Sequence, residues 1–384
     1  MANNQELEKK DKVTCLHDRH VALGATMVSF GGFSMPLLYQ NGGIAAEHRA
    51  VREHVGLFDV SHMGEVTVGG KDAERYVQHI FTNDIAGAPA GRIYYGMMCY
   101  ENGGTVDDLL VYKMGGLPPL SPSDSSPQAG AHFLLVTNAS NTGKDWAWMQ
   151  QHAGGFDIDL QNRSDFYGQI AVQGPEAEDV MERVLGLPCK ELAFYTCKTV
   201  GDAIVSRTGY TGEDGFEVYG PHDFIRACWD KLIGAGVQPC GLGCRDTLRF
   251  EVGLPLYGDE LSEDITPVMA GLTMFVKLDK EEFIGKEALA RQKAEGPAKK
   301  LVGIELSDKA IPRHGYAVLN TDGEPIGEVT TGYHTISTDK SVCMALVDAA
   351  YAKLDTGVQI QIRKKVFPGK VVKKQFYNKS YKNM

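Results

Sequence analysis

An α+β fold that ends in a small all-β unit is predicted for this 384-residue chain. Three observations carry that expectation. Short strand-like runs bounded by Gly or Asn dominate the first two-thirds: "GEVTVGG" (64–70), "DDLLVYKM" (107–114), "HFLLVTNAS" (132–140) and "GQIAVQG" (168–174). Helical patterning is sparse, at 71–80 and at 143–152 ("GKDWAWMQQH") for example, and lacks the regular strand-helix alternation of a doubly wound sheet. Finally, the helical "EEFIGKEALARQKAE" runs into a Gly-Pro-Lys linker near 295–300, beyond which only strand patterns recur.

In chain order, 64–70 opens the strands and 71–80 is the first helix. The runs 107–114 and 132–140 flank "GGLPPLSPSDSSPQAG" (115–130), a Pro/Ser/Gly stretch without apolar pattern that reads as a surface loop. If the flanks pair with Met114 opposite His132, Asp108 falls opposite Asn138, and a carboxylate meets a carboxamide at the open end of the hairpin. "DAIVSRT" (202–208) and "FEVYG" (216–220) form a second hairpin. After the linker come "LVGIELS", "GYAVLNTDGEPIGEVTTG" with Asp322-Gly323 as a hairpin signal, "SVCMALVD" and "VQIQIR".

Composition excludes several classes of function. With 43% hydrophobic and 23% charged residues the chain is an ordinary globular protein. No apolar run reaches the length that spans a bilayer. The eight cysteines are irregularly spaced, which fits reduced thiols; Cys240 and Cys244 read as packing thiols rather than zinc ligands. His17 and His20 are expected on a surface helix. The net charge of -10 conceals a basic end, because 361–384 holds eight Lys and Arg and no acid, leaving -18 on the remainder (-10 minus 8). That patch is too small for nucleic acid and reads as a solvated edge strand or a dock for an acidic protein.

The stretch "RTGYTGEDGFEVYG" (207–220) is the most distinctive. Its G-x-x-G-x-x-G spacing matches neither a dinucleotide fingerprint nor a P-loop, and its acids lack calcium-loop spacing. Read alone it is a hairpin with solvated acids.

Five ordered blocks change that reading. "FDVSHMGEV" (58–66), "GGTVDDLLVYK" (103–113), "RTGYTGEDGFEV" (207–218), "CGLGCRDTLRFEVGLPLYG" (240–258) and "FIGKEAL" (283–289) resemble, in order and spacing, those of the glycine cleavage system T-protein family. The resemblance implies a three-domain cloverleaf of mainly antiparallel sheets around a central folate cavity, with a C-terminal β-barrel or jelly-roll-like domain. On this sequence that is a folate-binding region 1–295, roughly 56–154 inserted between 1–55 and 155–295, followed by 300–384. The activity implied is aminomethyl transfer: the methylene of an aminomethyl-lipoyl H-protein passes to tetrahydrofolate, giving 5,10-methylenetetrahydrofolate, ammonia and dihydrolipoyl H-protein. Tetrahydrofolate is the co-substrate, H-protein the partner, and neither a metal, nucleic acid nor membrane is implied.

Residue by residue, Asp108 matches the family's catalytic Asp, where a fixed carboxylate would stabilise positive charge on the transferred group; its neighbour Asp107 points to the opposite strand face. Glu217 matches the folate-binding Glu, able to accept the side-by-side N–H donors of a pterin. Tyr210 and Arg245 would contact the folate, Met63 and Tyr95 match apolar and aromatic wall positions, and Asn138 matches the polar contact at the reacting end. Tyr381 matches a C-terminal folate-site Tyr. Arg249 reads instead as a salt bridge to Glu251 or Asp246. The alternatives are a folate-dependent demethylase or a non-enzymatic folate-binding protein of the same superfamily; a G-x-G-x-x-G flavin signature is missing and "EEFIGKEAL" lacks the Cys of the cluster-assembly branch. The basic 361–384 segment is a candidate dock for an acidic carrier. The N-terminal "MANNQELEKKDK" shows no leader, so the family points to the mitochondrial matrix for a eukaryotic source and otherwise to the cytoplasm.

Overall fold

In the computed structural model, residues 11–40, 42–115, 132–379 and 381 are described. The Pro/Ser loop, apart from Gly115, lies outside them, as do residues 1–10 and Lys382.

Two sheets face each other. One has six strands in the order Cys197–Val200, Ala203–Ser206, Gly215–Pro221, Tyr167–Gln173, Gly56–Asp59, Gln238–Cys240. The other has five, in the order Ile93–Cys99, Thr105–Met114, His132–Thr137, Gly64–Gly69, Asp159–Asn162. Pairing is antiparallel in both except where Gln238–Cys240 joins Gly56–Asp59.

Each sheet is covered on its outer face by helices, which explains why its central strands are buried on both sides. Ile170, Val172, Phe216 and Val218 pack on Ile225, Trp229 and Leu232 of the helix His222–Gly234. Val66, Val68, Leu109, Val111 and Leu135 pack on the helices Ala73–Ile80 and Thr142–Gln151. The first of these buries Ala73, Tyr76, Val77 and Ile80, spaced i, i+3, i+4, i+7, so one stripe meets the sheet. Burying each of its three larger side chains contributes at most about 1.5–3 kcal/mol. The alternate strand residues turn inward, where Tyr112, Leu134 and Val136 of one sheet meet Tyr167, Ile204 and Tyr219 of the other.

Gly56–Asp59 belongs to the six-stranded sheet and Asp159–Asn162 to the five-stranded one, whose strands run from Gly64 to Asn162. The reason is burial: Gly56–Asp59 is fully buried and suits a sheet interior, whereas Asp159–Asn162 is half-exposed and suits an edge.

The C-terminal strands close a six-stranded barrel in the order Lys299–Leu306, Ser341–Asp348, Pro325–His334, Ala317–Leu319, Gly357–Ile362, Lys365–Val372. The Asp322-Gly323 turn joins Ala317–Leu319 to Pro325–His334, with Gly323 at φ 87°. The barrel wall docks on the rest of the chain through Phe250, Leu261 and Ala270 against Leu301, Val342 and Met344.

Two expectations are corrected here. His20 is fully buried, because Asp59 Oδ2 lies 2.8 Å from its Nε2 and the Tyr39 hydroxyl 2.8 Å from its Nδ1. The basic segment is not uniformly solvated either: Lys374 donates its ammonium to the Ala270 carbonyl, while Lys364, Lys365, Lys370 and Lys373 are exposed.

Candidate functional site

The hairpin register brings two acids and an amide together. Strands Thr105–Met114 and His132–Thr137 pair with Met114 opposite His132 and Leu110 opposite Val136. Continued two residues further, that register sets Asn138 beside Asp108, and its side-chain amide donates to Asp108 Oδ1 at 2.9 Å and to Asp107 Oδ1 at 2.9 Å. The Tyr95 hydroxyl donates to Asp108 Oδ2 at 2.9 Å.

The two aspartates then part. Asp107 is fully buried on the helix side, while Asp108 lines a cavity of about 190 Å³. Burial, and next the Asp107 charge, push the Asp108 carboxyl up to about 7 in spite of the Tyr95 and Asn138 hydrogen bonds.

Glu217 reaches the same cavity from the strand Gly215–Pro221. Its carboxylate accepts from Thr208 Oγ1 at 2.5 Å and from Gln169 Nε2 at 3.2 Å. Burial raises its pKa, opposed by the Thr208 hydroxyl and the Arg245 charge.

The glycines of 207–220 turn out to be packing devices. Gln173 donates to the Thr208 carbonyl at 3.0 Å and accepts from Thr211 at 2.9 Å. A Cβ on Gly209 would stand 1.9 Å, and one on Gly215 2.3 Å, from the Gln173 amide. Gly212 adopts φ +80°, a conformation that a side chain strains. Nor are the acids solvated: Glu213 pairs with Arg52 at 2.7 Å, and Asp214 with Arg207 at 2.5 Å.

Tyr210, fixed by that loop, donates its hydroxyl to the Pro255 carbonyl and turns its ring to Arg245, whose guanidinium carbon sits 4.7 Å from the ring centre. Arg245 is half-buried, and no acid lies within ion-pair distance of it among the described residues. Burial lowers its pKa, while Tyr210 and Glu217 raise it. Its neighbour one turn on behaves differently: Arg249 is saturated by Asp246 and Glu260, each at 2.7 Å, so of its two expected partners Asp246 is found and Glu251 is not.

Seven of the eight expected site residues therefore line one cavity: Met63, Tyr95, Asp108, Asn138, Tyr210, Glu217 and Arg245. Tyr381 does not. Its hydroxyl donates to Glu213 at 2.6 Å and receives the Asp214 N–H at 3.1 Å, which ties it to the 207–220 loop.

Gln169, Tyr195, Leu272 and Phe275 also line the cavity and escaped the sequence reading. Gln169 could have been found from alternation along "GQIAVQG", and its Oε1 is buried without a partner. Tyr195 sits at φ 58° between elements, with no periodic signal to mark it.

One trio of possible metal ligands exists among the described residues, Glu47 with Cys240 and Cys244. Glu47 is already engaged by the N–H groups of Tyr39 at 2.6 Å and Gly241 at 2.9 Å, and burial raises the Cys244 thiol, so the trio is accounted for as packing.

The cavity thus offers a carboxylate acceptor, an unpaired guanidinium, aromatic walls and, at the hairpin end, an acid poised near neutrality. Comparison with known proteins bears on this. The GCVT N-terminal domain family matches residues 16–280, and the glycine cleavage T-protein C-terminal barrel domain family matches 299–378. An aminomethyltransferase of Alkaliphilus oremlandii is 47% identical over 97% of this chain and 99% of its own length. One of Thermoanaerobacter pseudethanolicus is 45% identical with the same coverage, 97% and 99%. The crystal structure of the glycine cleavage system aminomethyltransferase T from Bartonella henselae superposes with a TM-score of 0.89 at 33% identity, covering 96% of this chain and 99% of that one.

Proposed function

Because the chain belongs to the glycine cleavage T-protein family, we propose that the cavity between its two facing sheets is where tetrahydrofolate meets the aminomethyl-lipoyl arm of H-protein. The protein is an aminomethyltransferase: the methylene passes from the lipoyl sulfur to tetrahydrofolate, releasing ammonia and dihydrolipoyl H-protein. The demethylase and non-enzymatic readings are set aside, since the aminomethyltransferases matched span 97% of the chain.

One observation carries the assignment of the folate to this cavity. Glu217 and Arg245 stand in one wall, the first with its carboxylate aimed inward and the second without an acidic partner. The pterin ring presents two adjacent N–H donors and a carbonyl acceptor, which a carboxylate and a guanidinium satisfy together. At about 190 Å³ the cavity is smaller than the roughly 300–1,000 Å³ that encloses a whole drug-sized ligand, so it suits the ring and leaves the glutamate tail outside. Asp108, with its pKa near 7, is matched to hold the proton that N5 loses as it bonds to the methylene.

Glu217→Gln tests the ring assignment. The amide keeps the shape but swaps one acceptor for a donor, and titration calorimetry is expected to find tetrahydrofolate bound about 10- to 100-fold more weakly, the range for a charged hydrogen bond. Affinity unchanged within a factor of two would place the pterin elsewhere.

The chain division we propose follows the fold, with one unit ending before the linker and the barrel unit from about residue 300. The relatives matched are bacterial, which supports a cytoplasmic setting and lends nothing to a mitochondrial one. No helix among the described residues is long and apolar enough to cross a membrane. For carrier docking, Lys364, Lys365 and Lys373 are among the exposed charges, whereas Lys370 pairs with Asp355 at 3.7 Å and Lys374 is committed to Ala270. Neutralising the three is expected to weaken H-protein binding and flatten its salt dependence; equally tight binding across salt would remove the basic segment from the interface.

A further inference from the structure

Asp107, behind Asp108, gathers an unusual set of partners. Its carboxylate accepts the Asn138 N–H at 3.0 Å, the Asn138 side-chain amide at 2.9 Å and the Asn141 amide at 2.7 Å. A further carboxyl, that of Asp145, joins it. Asn138 caps, in extended conformation, the short turn Ala139–Asn141 that leads into the helix Thr142–Gln151, so the start of one segment delivers Asn138, Asn141 and Asp145.

Asp145 is completely buried, and neither of its oxygens meets an N–H or O–H donor among the described residues. Its carboxyl instead lies within hydrogen-bonding reach of Asp107. Two dry carboxylates cannot share such a contact as two anions; one must carry a proton. Asp107 has its amide donors to favour the charged form, and Asp145 has none. The one cation beside it among the described residues, Lys144, stands 3.9 Å away with its ammonium given to the Val106 carbonyl and 4.0 Å from the Tyr257 ring centre. The other titratable groups acting on the site, Asp108 and the Tyr100 and Tyr257 phenols, supply no positive charge. Burial, then the Asp107 charge, push the Asp145 carboxyl up to about 11, in agreement with the geometry.

We infer that Asp145 is a neutral carboxylic acid that donates its proton to Asp107 and is thereby a positioning residue for Asp108. The chain of contacts is continuous. The Asp145 proton fixes Asp107 as a single anion, Asp107 orients the Asn138 amide, and that amide donates to Asp108 at 2.9 Å. The positioning half of this inference rests on the reading of Asp108 as the acid at the reacting end; the protonation half does not.

Isotope-edited infrared spectroscopy on protein carrying labelled aspartate tests the protonation directly. At about pH 9, where ordinary carboxyls are ionised, the wild type is expected to retain one protonated-carboxyl band that Asp145→Asn abolishes and Asp108→Asn leaves in place. Absence of that band overturns the inference. Kinetics test the positioning. Asp145→Leu removes the donor and is expected to lower kcat about tenfold at unchanged KM for tetrahydrofolate, as loss of one hydrogen bond to a charged group implies. Asp145→Asn keeps a donor and is expected to recover most of that loss, with the acid limb of the pH profile where the wild type has it. A limb displaced downward in Asp145→Asn would mean that a negative charge had been removed, and would overturn the neutral assignment. Full kcat in Asp145→Leu would overturn the positioning role; should that variant not fold, the band and the Asn variant still decide. If the wild type itself releases no ammonia on adding tetrahydrofolate, the transfer reading fails while the band stands.

Discussion

Asp108→Asn is expected to slow tetrahydrofolate-dependent ammonia release from an aminomethylated lipoyl carrier by about 100- to 1,000-fold, the usual scale for removing one preorganised charge from a reacting centre. The substitution conserves shape, and the Tyr95 hydroxyl still finds an oxygen to donate to. Folate affinity should therefore stay within a few-fold, because Glu217 and Arg245 sit on other elements. What is lost is the anion. As N5 of the folate bonds to the methylene, positive charge grows on the nitrogen, and a neutral amide neither stabilises that charge nor accepts the proton. The pH profile gives a second check. The raised Asp108 carboxyl is ionised above about 7 and protonated below it, so the wild-type rate should fall as the pH drops through that value. The limb should vanish from the residual activity of the variant. A rate within tenfold of wild type, with the limb intact, would assign both charge and titration to another group; Asp107 is poorly suited, being buried behind Asp108 with its oxygens committed to amides.

Why was Asp108 legible in sequence when much else was not? One assumed pair, Met114 with His132, fixes every other pair by a constant sum, and the observed register is the one that pair gives. Glu217 and Asn138 were reached through such local geometry together with the ordered family blocks. Gln169, Tyr195 and Phe275 were not, because a cavity wall assembled from distant elements leaves no periodic trace along the chain. Buried charge was misread for a similar reason. An acid on a Gly-rich turn looks solvated until the arginine that covers it is brought from elsewhere, as Arg52 is to Glu213 and Arg207 to Asp214. Burial of His20 likewise depends on Asp59 and Tyr39, 39 and 19 residues away. Composition marks strands but not which sheet a strand joins, so sheet order became visible only in the fold.

Arg52→Met is expected to cost about 3–5 kcal/mol of unfolding free energy, the penalty for leaving buried charge uncompensated. Arg52 donates to Glu213 at 2.7 Å, to the Thr211 carbonyl at 2.6 Å, to the Leu248 carbonyl at 3.1 Å and to Glu251 at 3.3 Å. Its guanidinium also lies 4.2 Å from the centre of the Tyr377 ring. One side chain thereby joins the helix Gly43–Glu53, the 207–215 loop, the helix Leu242–Glu251 and the C-terminal segment. Methionine fills much of the space but leaves Glu213 and Glu251 without the guanidinium that bridges them. The three tryptophans, 146, 148 and 229, all lie outside the barrel, so urea unfolding followed by their fluorescence reports on the half of the molecule that carries the cavity. Adding Glu213→Leu should restore part of the loss, since an apolar pair of similar volume replaces a buried ion pair at little net cost. Acid should act on the same network: Glu251, held at about 2 against the cost of burial by hydrogen bonds from His48 and Ser337, has its ordinary value at 4.5. A depressed carboxyl stabilises the fold above its unfolded pKa, so this contribution is complete above about 4.5 and is lost as the pH falls toward 2. Because the 207–215 loop also carries Tyr210 against Arg245, the Arg52 variant should bind tetrahydrofolate more weakly even where it remains folded. Undiminished affinity in the folded variant would show that the Gln173 clamp alone holds the loop in place.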